Sequence, residues 1–308
     1  LQQESLENYS ALLFEAKDSK IYRPTLFDLL SHNALEFYKT SENSISKPAY
    51  RFNIDNPSFL DDSEVFINLK LSSKDSTSLE LNALKVYQNL LKFHRKDKQS
   101  KAFVHIDIAR LSFVLQHATF DNKEDILIKA LTTNADALKS SPLSALYNYE
   151  IASLYQQQGF EYDSEILNTE ANEKNRWKNK EAIDLCNEVI ATFPESDGAK
   201  KCKILKQQIL QPSLELQAEE FISVNTPSRI LVNYKNLNAL DFIIYKANKK
   251  QLKNYQKLYN AEEKERFFKN LKPIKSFTST LKSENDYQAH RTEIIVPQLQ
   301  NGLYIIKA

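Results

Sequence analysis

Two cysteines and five histidines are the side chains of this sequence best suited to nucleophilic, proton-carrying or metal-binding chemistry. Cys186 lies eight residues before Pro194, and Cys202 lies eight after it. If the flanking helices fold back antiparallel about the Pro194–Gly198 turn, the two sulfurs reach similar heights on facing helices. A disulfide then becomes geometrically accessible, provided the Cα atoms approach to about 4.4–6.8 Å. The plainer alternative is two buried thiols serving as small apolar residues. No histidine neighbours either cysteine, and the local pattern does not predict a reactive nucleophile at either. Among His32, His94, His105, His117 and His290, no two are spaced i, i+4 on a predicted helix, and no cluster of cysteines or carboxylates completes a metal set. His105 and Asp107 are two residues apart, which on a helix places them on different faces. A nucleophile elbow, a Walker loop and a dinucleotide glycine pattern are all missing, and three glycines in 308 residues leave little material for phosphate-cradling loops. The residues therefore predict no catalytic, cofactor-binding or metal-binding set and no small-molecule substrate, with Cys186 and Cys202 as the candidate disulfide.

The elements that would position these residues change character at Gln211–Pro212. Before it, apolar residues recur at helical spacing. Ser5–Ala16 carries Leu6, Tyr9, Leu13 and Ala16 on one stripe, and Pro24 fits the first turn of a helix running to about Lys39. Residues 41–77, rich in Ser, Asp and Pro, read as an irregular loop crossing the helical stack with one or two short helical turns. Helices are predicted again from Ser78, through Phe103–Phe113, Glu124–Leu138, Ala145–Gln158, Trp177–Phe193 and Gly198–Leu210, with Gly159 as a left-handed cap. Small residues in Ala145–Gly159, a Tyr155–Gly159 ending, then Ala182–Ile183 and Phe193–Pro194 resemble tetratricopeptide (TPR) hairpins.

After Pro212, alternation takes over. Leu214–Ala218 reads as a half-buried strand, Ile230–Tyr234 and Leu240–Tyr245 as strong strands, and Ile274–Leu281, Thr292–Val296 and Leu303–Lys307 as the remainder of a sheet. Residues 248–271 return to helical spacing as a charged insertion. Asn301–Gly302 is a hairpin or tight-turn signal. The predicted fold class is α+β, with an α-helical domain over 1–211 and a β-rich domain over 212–308.

The chain has a net charge of +1, with 26 basic and 30 acidic residues up to Gln211 and 15 and 10 after it. Such balances do not predict a nucleic-acid partner, which usually demands a concentrated basic face. No apolar run approaches the roughly 20 residues that span a bilayer. The absence of methionine and the start at Leu1 predict a piece of a longer protein.

Four stretches together resemble the N-terminal region of Bacteroidetes-type bacterial alpha-2-macroglobulin family proteins: RPTLFDLLSHNAL (23–35), WKNKEAIDLCNEVIATFPESDGAKKC (177–202), RILVNYKNL (229–237) and DYQAHRTEIIVPQLQNGLYIIKA (286–308). The resemblance implies a helical region leading into macroglobulin-like β-sandwich domains in a periplasmic or cell-envelope protein, either with or without a lipid anchor on a segment outside this chain. Family members trap proteases with a cleavable bait segment and, in many, a thioester built from a Cys-x-Glu-Gln motif. Neither Cys186 (CNEV) nor Cys202 (CKIL) fits that motif, and no bait segment is identifiable. The expectation is therefore a non-catalytic scaffold in an endopeptidase inhibitor, meeting proteases through the full-length protein. Two rivals are a TPR-like module holding a protein partner in its helical groove and a SusD-like glycan-binding lipoprotein.

Overall fold

The computed structural model describes residues 1–14, 18–40, 50–97, 100–166 and 169–308. It is a mixed α+β protein. The helices are α1 (Ser19–Tyr22), α2 (Leu26–Tyr38), α3 (Ser63–Asn68), α4 (Leu79–His94), α5 (Lys101–His117), α6 (Lys123–Ala137), α7 (Ser144–Phe160), α8 (Glu170–Arg176), α9 (Lys178–Thr192) and α10 (Asp197–Leu210). Strands follow as β1 (Ser213–Ala218), β2 (Ser228–Lys235) and β3 (Ala239–Ala247); then come α11 (Lys249–Tyr255), α12 (Ala261–Lys269), β4 (Pro273–Thr280), β5 (His290–Val296) and β6 (Leu303–Lys307). Two compact units result. One comprises Leu1–Tyr155 with Ala182–Leu205, the other Gln156–Glu181 with Lys206–Ala308.

In the first unit, α4 illustrates how the sequence builds the core. Ser78 caps it by accepting from the Leu81 amide at 3.1 Å. Leu81, Leu84, Tyr87 and Leu91 then fall on one face and are fully buried, with Leu90 beside them. Each such aliphatic side chain contributes about 1.5–3 kcal/mol on burial. Ser100 caps α5 in the same way, accepting from the Phe103 amide. At α2 the predicted start shifts. Pro24 lies outside the helix and Thr25 is the cap, exchanging hydrogen bonds with Asp28 in a capping box.

The N-terminal stripe does not make the helix its spacing suggests. Only Leu6–Tyr9 winds, as a 3-10 turn, and Ala16 lies outside the described residues. Among the described residues of the stripe Leu6 is buried and Tyr9 and Leu13 are half-buried, too little packing to repay helix nucleation. Of the predicted irregular segment, 41–49 lie outside the described residues. The remainder holds the 3-10 turn Pro57–Leu60 and α3, whose Phe59, Leu60, Phe66 and Ile67 enter the core.

Two glycines mark close approaches. Gly198 opens α10 against Ala145, and a β-carbon there would lie 2.2 Å from the Ala145 carbonyl oxygen. Since that oxygen is backbone, it has little room to yield. Gly198→Ala is therefore expected to cost at least about 1–3 kcal/mol, read as a lowered urea midpoint at unchanged slope; equal stability would show that the backbones separate freely. Gly159, expected as a left-handed cap, lies inside α7, and no glycine adopts positive φ. Its role is to admit Asn179, whose side chain would meet a β-carbon at 2.7 Å.

In the second unit the strands form two three-stranded antiparallel sheets, ordered β1-β2-β5 and β4-β3-β6. Ile230, Val232, Tyr234, Ile294 and Val296 of the first share one core with Leu240, Phe242 and Ile244 of the second. The strands read in the sequence thus divide between two three-stranded sheets that share a core. Asn236, at φ 54°, turns the chain from one layer to the other. β5 and β6 belong to different sheets, so Asn301–Gly302 joins layers rather than a hairpin. β1 is an edge strand whose residues are exposed apart from half-buried Leu216, in contrast to the half-buried alternation expected. α11 and α12 occupy the predicted insertion.

Candidate functional site

The polar side chains of the second unit converge where helix ends meet strands. Arg176 closes α8, and its Nε donates to Asp286 Oδ2 at 3.0 Å while its guanidinium also pairs with Glu284. Asp286 is 1% exposed, and its other oxygen accepts from the Gln288 amide at 3.2 Å and faces His290 Nε2 at 2.8 Å. Burial works against the charged carboxylate. The hydrogen bonds from His290, Gln288 and Arg176 outweigh it and hold the Asp286 pKa at about 2. The contribution of this carboxylate to stability is thus present above its ordinary value of about 3.9 and is lost as pH falls toward 2.

Gln288 completes the tie from the other direction. Its Nε2 donates to the Arg176 carbonyl at 3.0 Å, satisfying one of the acceptors that a helix C-terminus leaves open. Asn179 Nδ2 donates to the Tyr287 carbonyl at 3.0 Å. Tyr287 itself sits at φ 58°, a left-handed conformation that a bulky residue adopts only when its surroundings impose it. The end of α10 is treated alike: Asn236 Nδ2 donates to the Ile209 carbonyl at 2.8 Å. Side chains from the strand region therefore cap two helix ends.

The first unit holds a second buried network. Arg110 and Asp107 on α5 are 0% and 1% exposed and joined at 2.6 Å. Arg110 Nη1 donates to the carbonyls of Phe59 and Asp61 at 2.8 and 3.1 Å, and its guanidinium lies over the Phe66 ring. Asp107 Oδ2 accepts from Tyr147 and Asn134, each at 3.0 Å. Burial, reinforced by Asp107, pushes the Tyr147 hydroxyl pKa well up, keeping it a neutral donor.

The residues singled out in the sequence are distributed among these ties. Cys186 on α9 and Cys202 on α10 are both buried thiols. A hydrogen bond to Cys186, together with burial, raises the Cys202 pKa, the opposite of nucleophile activation. The spacing argument thus brings the pair together. A bridge between them stays a proposal, which thiol counting in denaturant reads directly. His94 Nε2 lies 2.7 Å from Asp28, both buried. His32 is buried with Nε2 lacking any hydrogen-bond partner, and burial lowers its pKa to about 4. His105 is exposed on α5 beside the Tyr22 ring, and His117 packs on Phe113. Among the described residues, no three His, Cys, Asp or Glu side chains are grouped to hold a metal ion. An open depression of about 520 Å³ lined by Gln2, Phe27, Asn89, Lys92 and Phe93 presents one cation, and Lys92 already donates to Gln88. No helix among the described residues is long and apolar enough to cross a membrane.

No family model matches this chain, and no curated protein matches it. The networks around Asp286 and Arg110 escaped the sequence reading. Each joins residues far apart in the chain, and the local signals were two short-range pairs, Asp107 with Arg110 and Asp286 with His290.

Proposed function

We propose that this chain is a non-catalytic scaffold: TPR-like hairpins and a macroglobulin-like sandwich from the N-terminal region of a bacterial alpha-2-macroglobulin-like protein of the cell envelope. The observation that carries this reading is where the resembling stretches fall. Asn179 comes from 177–202, Asn236 from 229–237, and Asp286, Tyr287 and Gln288 from 286–308. Three of the four stretches thus supply the groups that fasten helix ends to the chain flanking β2 and β5, the work of a strut. Buried Asp286 is committed to such a tie, and buried Arg110 to Asp107 and the carbonyls of Phe59 and Asp61. In this reading proteases meet other parts of the longer protein, and this chain supports them.

Protease trapping by the longer protein tests the proposal. Deleting this segment is expected to reduce trapping severely, while the purified chain alone leaves a protease's activity unchanged. Methylamine uptake with release of a thiol would place a thioester elsewhere in that protein. Hydrolytic turnover by the purified chain would overturn the scaffold reading, as would saturable oligosaccharide binding.

A further inference from the structure

Residues 246–275 hold ten basic side chains and three carboxylates, a balance of +7 in a chain whose total is +1. The segment leaves and rejoins one end of the β4-β3-β6 sheet: β3 runs out at Ala247, α11 and α12 follow, and β4 begins at Pro273 opposite Tyr245. Its inner side is apolar, with Leu252, Tyr255, Phe267 and Leu271 packed around Tyr245, Phe268 and Ile305. That packing turns the lysines outward. Lys249, Lys250, Lys253 and Lys257 recur at helical spacing on the exposed side of α11 and its following turn. Lys246, Lys269, Lys272 and Lys275 are exposed at the last turn of α12 and the strand ends.

Two of the three carboxylates are already engaged, Glu262 by Arg266 and Glu265 by Lys307. Amid the lysines, Tyr259 between α11 and α12 is 92% exposed and Ile274 is 49% exposed. We infer that this insertion is a docking surface for an anionic lipid bilayer, a property beyond the scaffold reading and independent of it. Lysines within a Debye length of acidic headgroups are attracted to them, and an exposed tyrosine and an aliphatic side chain suit the headgroup–acyl boundary. Nucleic acid fits less well. Nine of the ten basic groups are lysines, whereas bidentate readout of phosphate and base edges favours arginine.

Co-sedimentation of the full chain with vesicles tests the inference. Binding is expected to phosphatidylcholine vesicles containing phosphatidylglycerol, and to be about tenfold or more weaker to phosphatidylcholine alone or at high salt. The quadruple variant Lys249→Gln, Lys250→Gln, Lys253→Gln, Lys257→Gln should lose most of that binding with an unchanged circular dichroism spectrum. Tyr259→Ser should weaken binding severalfold while leaving its salt dependence intact, which separates interfacial insertion from charge alone. No binding to the mixed vesicles, equal binding to both kinds, or an unaffected quadruple variant would overturn the proposal. Tighter binding to duplex DNA or to an acidic polypeptide than to the mixed vesicles would do the same.

Discussion

Arg110→Ala is expected to lower the free energy of unfolding by about 3–5 kcal/mol, the largest effect of any single substitution considered. The side chain is fully buried and stands among four acceptors' worth of commitments: Asp107, the carbonyls of Phe59 and Asp61, and the face of Phe66. Removing it leaves a cavity, two carbonyls without their donor, and an Asp107 charge held only by Tyr147 and Asn134. The last of these dominates, because an unpaired buried carboxylate is far costlier than a missing neutral hydrogen bond. The double variant Arg110→Met with Asp107→Asn should therefore recover part of the loss, since Asn still accepts from Tyr147 while carrying no charge. Urea unfolding of the three proteins reads both results. A cost below about 1 kcal/mol for Arg110→Ala would place this network among the weak, solvent-screened pairs typical of surfaces.

The second large effect is a pH dependence centred on His32. Its imidazole is 6% exposed with an unpartnered Nε2, and its pKa is lowered to about 4, first by burial and then by the charges of Arg23, His105 and Lys39. The unfolded chain takes up a proton at this histidine near the ordinary value of about 6.5. Between pH 6.5 and 4 the unfolded state thus binds a proton that the folded state refuses, so stability falls as pH drops through that window. The loss attributable to His32 is on the order of 3 kcal/mol and is complete near pH 4. His32→Leu should remove this component. Its stability relative to the unsubstituted protein is expected to rise as pH falls from 6.5 to 4 and to level off below. Parallel stability curves for the two proteins would contradict the assignment.

Much of the fold was legible because it is periodic. The apolar spacing of α4 and the β-branched runs of β2 and β3 each report a buried face directly, and those faces are buried. The helix-to-strand change expected after Gln211 lies between the end of α10 at Leu210 and the start of β1 at Ser213. What remained hidden depends on partners distant in the chain. Gly159 looks like a cap from its neighbours alone; its reason is Asn179, which packs against it from another helix. The strands could be placed individually, but their sorting into two sheets rests on pairings such as Val232 with Thr292, sixty residues apart. Arg110 broke an apolar stripe with no visible cause, because the carbonyls it serves lie 51 and 49 residues upstream. Asp286 and Arg176 are separated by 110 residues, a distance at which no local pattern informs. The cysteine pair was the exception. Symmetry about Pro194 sufficed to bring Cys186 and Cys202 together, since a short helical hairpin makes that long-range contact a local one.

The scaffold account rests on the Asp286 network acting as a tie between the end of α8 and the segment leading into β5. A double-mutant cycle on the full chain, with Arg176→Ala, Asp286→Asn and the two combined, measures that tie directly. If the network holds the elements together, the two losses in unfolding free energy will be non-additive, with a coupling on the order of 1–3 kcal/mol. Additive losses within about 0.5 kcal/mol would mean that Arg176 and Asp286 act independently, and the account of these residues as a load-carrying strut would fail.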